Sequence, residues 1–249
     1  MGRSGYHAVL FYLMKQYNDY YFVNHAYKWY PKYDKISDPK LRDKYTEKYN
    51  NTNFFISLEN FDFTRFLEEY NKEDFYKQMQ NDFFGQCYFY KNIIVMRDPF
   101  NHFASRFKKN LKHKKDRPRR HASNKKLIDK FKPLWIKYAK EVLGDTNYIP
   151  DKYVILYNKW FTDIEYRKKI CEDFGVQCDD AHREYIPKFG CGSSFSSCLK
   201  QGHGSNLDVL NRWQVFEDNS SFRECFQDKI LYKLSERIFG HIVGTEQLL

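Results

Sequence analysis

Apolar positions along this chain follow two rhythms, one of helical period and one of short continuous runs. Apolar residues recur at helical spacing from about His7 to Tyr21, and an irregular stretch rich in Tyr, Lys, Asp and Pro then extends to about Asn53. Phe54–Leu58 is a β-prone run that predicts a strand, and helical spacing resumes near Thr64–Asn81. A second short apolar run occupies 92–96. Beyond it Asp98 offers an N-cap, Pro99 suits the first helical turn, and Phe100, Phe103 and Phe107 recur at helical spacing. A helix near Lys125–Leu143, a strand at Tyr153–Leu156 and a helix capped by Asp163 and running to about Phe174 complete the middle of the chain. After a Gly/Ser/Cys segment over 190–205, helices are expected at Leu207–Phe216 and Asp228–Phe239. Strands separated by helices predict an α/β fold, a parallel sheet with helices on both faces. With no long Pro/Gly/Ser linker, residues 1–249 read as a single domain.

Composition changes this picture little. Hydrophobic content of 42%, with 19% aromatic residues, suffices for a core, and no apolar run reaches the roughly 18 residues of a membrane span. The chain start carries Arg3 and His7 ahead of an amphipathic pattern and lacks the compact apolar core of a signal peptide. A soluble, cytoplasmic chain is expected, any anchor lying upstream of Met1. The formal charge of +10 suggests a polyanion binder until it is located: between Arg106 and Lys126, eleven Lys/Arg stand against one acid, Asp116, and this accounts for the whole excess. The segment at about 106–126 reads either as a solvated basic loop broken at Pro118 or as a patch that recruits a polyanion.

The residues that carry chemistry cluster in two places. Arg97 falls at the C-terminal end of a predicted strand, where ligands collect in open α/β sheets, and Ser105 lies about two turns into the helix that leaves it. An arginine fork and a hydroxyl can share one phosphate. At the chain start, Gly2-Arg3-Ser4-Gly5-Tyr6-His7 stands directly before a helical pattern and offers backbone amides plus a cation, a cradle for a phosphate or sulfate group. The full Gly-x-x-x-x-Gly-Lys-Ser/Thr loop is absent. The six cysteines, at 87, 171, 178, 191, 198 and 225, form no Cys-x-x-Cys pair, and His-Glu-x-x-His does not occur, so no metal site is predicted. Cys191 and Cys198 would be bridged only in an oxidising compartment; free thiols are expected.

Together these segments resemble the sulfotransferase family, which binds 3′-phosphoadenosine 5′-phosphosulfate on a P-loop-like α/β fold. Arg3-Ser4-Gly5 looks like the family's phosphosulfate loop, and Arg97-Asp98-Pro99 with Ser105 looks like its 3′-phosphate motif. Ile155-Leu156-Tyr157-Asn158-Lys159-Trp160 with Asp163 is similar to its strand-and-tyrosine segment, in which the tyrosine approaches the adenine. Gly190 to Phe195, followed by Arg212-Trp213, is similar to a late loop that closes over the nucleotide in microbial and Golgi-type members.

The resemblance implies a P-loop-like parallel sheet flanked by helices, whose usual strand ahead of the phosphosulfate loop is missing here or lies before Met1. It implies transfer of a sulfuryl group to a hydroxyl or amine acceptor, carbohydrate being the leading class, with adenosine 3′,5′-bisphosphate as product and no metal. Arg3 would stabilise charge on the leaving bridging oxygen, the amides of Ser4, Gly5, Tyr6 and His7 would hold the phosphosulfate, and Arg97 and Ser105, with Arg106 nearby, would grip the 3′-phosphate. Tyr157, Gly192, Ser193 and Ser194 would also line the nucleotide. Glu59, directly after the Phe54–Leu58 run, is the expected general base, with burial raising its pKa, and His7 and His102 are runners-up. Trp160 and Trp213 are candidates to stack on adenine. Two other classes compete: a small-molecule kinase of P-loop type, and a binding protein that holds nucleic acid or another polyanion on the basic segment.

Overall fold

The computed structural model describes residues 4–23, 53–64, 91–116, 124–186 and 203–249. They form a mixed α/β protein with two compact units, one comprising the chain start to Gln16, Ile94–Asn147 and Val154–Leu249, the other Tyr17–Ile93 and Tyr148–Tyr153. Among the described residues no helix is long and apolar enough to cross a membrane.

The smaller unit holds strands β1 (Tyr20–Val23) and β2 (Asn53–Ile56), which pair in parallel with Tyr20 opposite Asn53 and Phe22 opposite Phe55. Asn53 fixes the start of the register by donating from Nδ2 to the Asp19 carbonyl at 3.1 Å, and the Phe55 ring takes the edges of Tyr17 and Tyr20. The first helix, α1 (Tyr6–Lys15), therefore stops short of the expected Tyr21. The run Tyr20-Tyr21-Phe22-Val23 satisfies a helical apolar face and a strand equally well, and its strand partner lies more than thirty positions away. The helical pattern beyond Thr64 and the Gly/Ser/Cys segment up to Gly202 lie outside the described residues.

Strand β3 (Asn92–Met96) neighbours β4 (Lys152–Leu156), and the C-terminal parts of both belong to the larger unit. Helix α2 (Pro99–Asp116) follows β3, and α3 (Asn124–Leu143) leads back toward β4. The predicted basic loop is thus helical up to Asp116 and again from Asn124. Arg106 does not belong to a solvated patch: it is buried, donates from Nε to His102 Nε2 at 2.8 Å and stacks 3.4 Å from the Phe131 ring centroid. Helices α4 (Tyr157–Thr162) and α5 (Ile164–Asp173) come directly after β4, Asp163 capping α5 through Tyr166 N as its sequence position predicts.

The core of this unit is aromatic. Phe100, Phe103 and Phe107 line the buried face of α2 and meet Phe222 and Phe226, with ring centroids 4.8 Å apart for Phe100–Phe226 and 5.2 Å for Phe107–Phe222. Phe222 lies on α6 (Ser220–Arg223), and α7 (Lys229–Phe239), capped by Asp228, packs against α3. Leu207–Phe216 is not the continuous helix its pattern predicts but irregular backbone leading into a short 3₁₀ turn, Arg212–Phe216, because the Arg97 and Asn101 side chains compete for its backbone groups.

Asp98 joins these parts. Its fully buried carboxylate accepts at Oδ1 from the Asn101 amide at 2.8 Å, capping α2, and at Oδ2 from Asn158 Nδ2 at 2.9 Å, while Asn158 Oδ1 takes the Asp98 amide at 3.3 Å. The C-terminal ends of β3 and β4 are thereby pinned side by side. Asn101 extends the chain of bonds to the late segment, donating from Nδ2 to the Leu210 carbonyl at 2.7 Å and accepting from Arg212 N at 2.8 Å. Asp98→Ala is expected to cost about 3 kcal/mol, roughly 1 from the cap and the rest from amides left without their acceptor. The urea midpoint at unchanged denaturant slope measures it, and a loss below about 1 kcal/mol would show that the corner holds without the carboxylate.

Candidate functional site

Arg97 leaves β3 at the corner that Asp98 fixes, and its side chain is 2% exposed. It donates from Nη1 to Ser105 Oγ at 3.2 Å and from Nη2 to the Val209 carbonyl. Its own carbonyl accepts from Trp135 Nε1 at 3.0 Å, so the backbone behind the guanidinium is anchored to α3. Burial lowers the Arg97 pKa, opposed by the nearby Tyr157, Asp98 and Asp208.

Ser105 is where two cations meet. Arg212 Nη1 donates to the same Oγ at 3.1 Å, and the hydroxyl donates to the Asn101 carbonyl at 2.9 Å. One proton and two lone pairs are all that a serine hydroxyl possesses, so these three bonds use it fully. Two buried guanidinium groups converging on a neutral oxygen create a positive spot that an anionic oxygen would satisfy better. Arg212 stood out in the sequence only as part of the late Arg-Trp pair; the Asn101 clasp brings it here.

The chain start reaches the same cluster through Tyr157. This residue opens α4, its ring lies 5.1 Å from Arg97 Cζ and stacks on Trp160 at 5.7 Å. Gly5 lies against the ring so closely that a Cβ there would overlap it, and its φ of +82° lies in the region that glycine alone enters freely. Gly5 also caps α1: its carbonyl accepts from Ala8 N at 2.9 Å and Val9 N at 3.3 Å. The amides of Tyr6 and His7 follow Gly5 in the first turn of α1. Ser4 beside them is buried.

Gly5, Arg97, Ser105 and Tyr157, four residues nominated from the sequence, are thus linked in one cluster, joined by Arg212. Arg3 adjoins it in sequence but lies outside the described residues, as do Gly192, Ser193 and Ser194. Glu59 is half-buried in the turn after β2 and belongs to the smaller unit. His102 is fully buried within α2 and accepts from Arg106, the position of a structural histidine rather than of a base. Trp160 and Trp213 are both buried core residues. Among the described residues no group of three or more His, Cys, Asp or Glu could hold a metal ion. A cleft of about 330 Å³ opens beside Asn158, lined by Leu156, Lys159, Thr162, Leu210 and Phe239.

Three residues that the sequence reading missed support the cluster from behind. Arg167 on α5 clamps Asp180 with two bonds, Nε–Oδ1 at 2.5 Å and Nη2–Oδ2 at 2.8 Å, and donates from Nη1 to the Trp160 carbonyl at 2.7 Å. It thereby fixes the end of α4, whose first residue is Tyr157. Arg183, three residues beyond Asp180, stacks 4.8 Å from the Phe161 ring, and burial holds its pKa below the usual arginine value. No local signal marks these residues, because each acts through a contact made only in the fold. Comparison of the chain with protein-family models, with curated proteins and with solved structures finds no match.

Two measurements probe this geometry. Gly5→Ala is expected to destabilise by about 1–2 kcal/mol from its left-handed backbone alone, and further through the ring overlap. In Tyr157→Ala the second penalty vanishes, so the double mutant should be more stable than the sum of the single losses predicts; strict additivity would separate Gly5 from Tyr157. The second concerns pH. Hydrogen bonds from Arg167 hold the Asp180 carboxyl below its ordinary value of 3.8, so the pair's contribution is complete above that value and is lost as pH falls through the lower, folded one. Asp180→Ala should therefore cost about 3 kcal/mol at neutral pH, with the gap from the parent closing in acid, as urea midpoints across pH will record. A gap constant down to pH 2 would contradict the ion pair.

Proposed function

We propose that this chain is a sulfotransferase that moves a sulfuryl group from 3′-phosphoadenosine 5′-phosphosulfate to a hydroxyl or amine of an acceptor, carbohydrate being the class its motifs resemble most. The observation that carries the reading is the shared Ser105 hydroxyl: Arg97 and Arg212, 115 positions apart in sequence, both donate to it. A phosphate monoester takes this donor set. As folded, Arg97 also holds the Val209 carbonyl, and nucleotide binding would exchange that neutral acceptor for a charged phosphate oxygen, the stronger partner of a guanidinium. The glycine at position 5 seats the start of α1 directly against the Tyr157 ring, which fits a nucleotide that runs past both.

The donor nucleotide supplies the reactive sulfuryl group, and the chain supplies position and charge. Tyr6 and His7 amides at the start of α1 would orient the phosphosulfate, with Arg3 neutralising charge on the leaving oxygen. Arg97, Ser105 and Arg212 would hold the 3′-phosphate at the far end, and Tyr157 would bear on the adenine. Glu59 is the residue that the family resemblance would make the general base for the acceptor's proton. A P-loop-like topology belongs to the same proposal.

Isothermal titration with adenosine 3′,5′-bisphosphate tests it. The parent chain should bind, Arg97→Ala should abolish binding, and Ser105→Ala should weaken it about tenfold, worth about 1.4 kcal/mol, by removing the hydroxyl that holds the two guanidinium groups together. Adenosine triphosphate should not displace the bisphosphate, which separates this reading from a kinase. Because Arg97 is buried, each variant is first checked by thermal melting, and Arg212→Ala serves as the second probe of the same site. Absence of binding by the folded parent chain rejects the assignment.

A further inference from the structure

Away from this cluster, α1 meets the segment after α5 through an unusual group of side chains. Tyr12, 1% exposed, places its hydroxyl 3.6 Å from Cys171 Sγ, 3.2 Å from Cys178 Sγ and 3.4 Å from Asp180 Oδ1. The backbone that brings the two cysteines together is specific. Helix α5 ends in a Schellman motif: Val176 N donates to the Cys171 carbonyl at 3.0 Å, Gly175 N to the Glu172 carbonyl at 2.9 Å, and Gly175 adopts φ +66°. The chain is thereby turned back along the helix end, and Cys178 returns to Cys171. Gln16 locks the return on α1, accepting from Asp179 N at 2.8 Å and donating to the Asp179 carbonyl at 3.1 Å.

We propose that Cys171 and Cys178 are a redox-responsive pair that closes reversibly into a disulfide beneath Tyr12. Both are free thiols as folded, Cys171 buried and Cys178 half-exposed, so Cys178 is the one that meets an oxidant. With a small disulfide such as oxidised glutathione, the Cys178 thiolate attacks one sulfur, forming a mixed disulfide and releasing one glutathione thiolate. The Cys171 thiolate then attacks Cys178 Sγ, forms the internal bond and releases the second glutathione. Two protein thiols are oxidised, one glutathione disulfide is reduced to two thiols, and the two protons lost by the cysteines pass to the leaving thiolates through solvent. Burial, with Cys178 close by, pushes the Cys171 thiol up to about 11, so the closing step is the slow one and quickens as pH rises toward that value. Closure also presses on Tyr12, and through it on α1, the helix that begins at Gly5. The proposal stands independently of sulfuryl transfer.

The test equilibrates the full chain in mixtures of oxidised and reduced glutathione, quenches in acid, alkylates under denaturing conditions and maps peptides by mass spectrometry without reduction. The expected product is a Cys171–Cys178 linked peptide, roughly 2 Da lighter than the two thiol forms together, that reverts with dithiothreitol. Cys171→Ser should stop the sequence at a stable glutathione adduct on Cys178, and the rate of closure in the parent should rise with pH between 7 and 9. Both cysteines alkylated at every redox ratio, a persistent adduct at Cys178 in the parent chain, or linkage to another cysteine would each overturn the pair.

Discussion

The larger unit depends on one buried anion. Asp98 spends its two oxygens on two different parts of the chain: Asn101 in the first turn of α2, through both its backbone amide and its side chain, and Asn158 at the start of α4. A charged acceptor is worth more than a neutral one when removed from water, provided that its bonds are complete. Here they are supplied by neutral amides, which leaves the neighbouring Arg97 guanidinium directed at Ser105 and Val209 instead of being absorbed in an ion pair with the residue beside it. The direction of the guanidinium donors follows from that division of labour. An ordinary Arg–Asp bridge at the same two positions would have occupied those donors with the carboxylate.

Support for the corner comes in layers. The aromatic face of α2 sets the height of the helix on the core, Trp135 holds the Arg97 backbone, and the Arg167–Asp180 pair braces α4 from the opposite side. Each layer uses a different force, respectively apolar contact, a single hydrogen bond and a charged clamp. Only the last is strongly sensitive to acid. The smaller unit relies instead on a short parallel pairing whose ring contacts gather around Phe55.

What could be read in the sequence was what is local. The cap at Asp98, the helical spacing of Phe100, Phe103 and Phe107, the caps at Asp163 and Asp228 and the strands at 92–96 and near 153–156 all follow from residues within one or two turns of each other. Arg97 and Ser105 belong to the same class, being eight positions apart on one strand and one helix. Strand β1 escaped notice because four consecutive apolar residues after a helix carry no period of their own, and the pairing that decides the matter is remote. The segment 207–216 misled for a related reason: its apolar pattern is helical, but Asn101 and Arg97 take the carbonyls and amide that a helix would have used. Asn101, Arg167 and Arg183 were invisible because a polar side chain announces neither its burial nor its partner.

The way in which Asn101 holds the late segment has a bearing on how the chain can vary. Its amide engages one carbonyl at Leu210 and one N–H at Arg212, and both belong to the main chain. The grip is therefore blind to which side chain occupies position 210, and at 212 it excludes only proline, which has no proton to give. It is acutely sensitive to length, since inserting or deleting a single residue between them would move one of the two groups out of reach. A changed side chain at position 210 leaves this grip intact whereas a frame change is ruinous, so an insertion scan would find here a narrow forbidden zone.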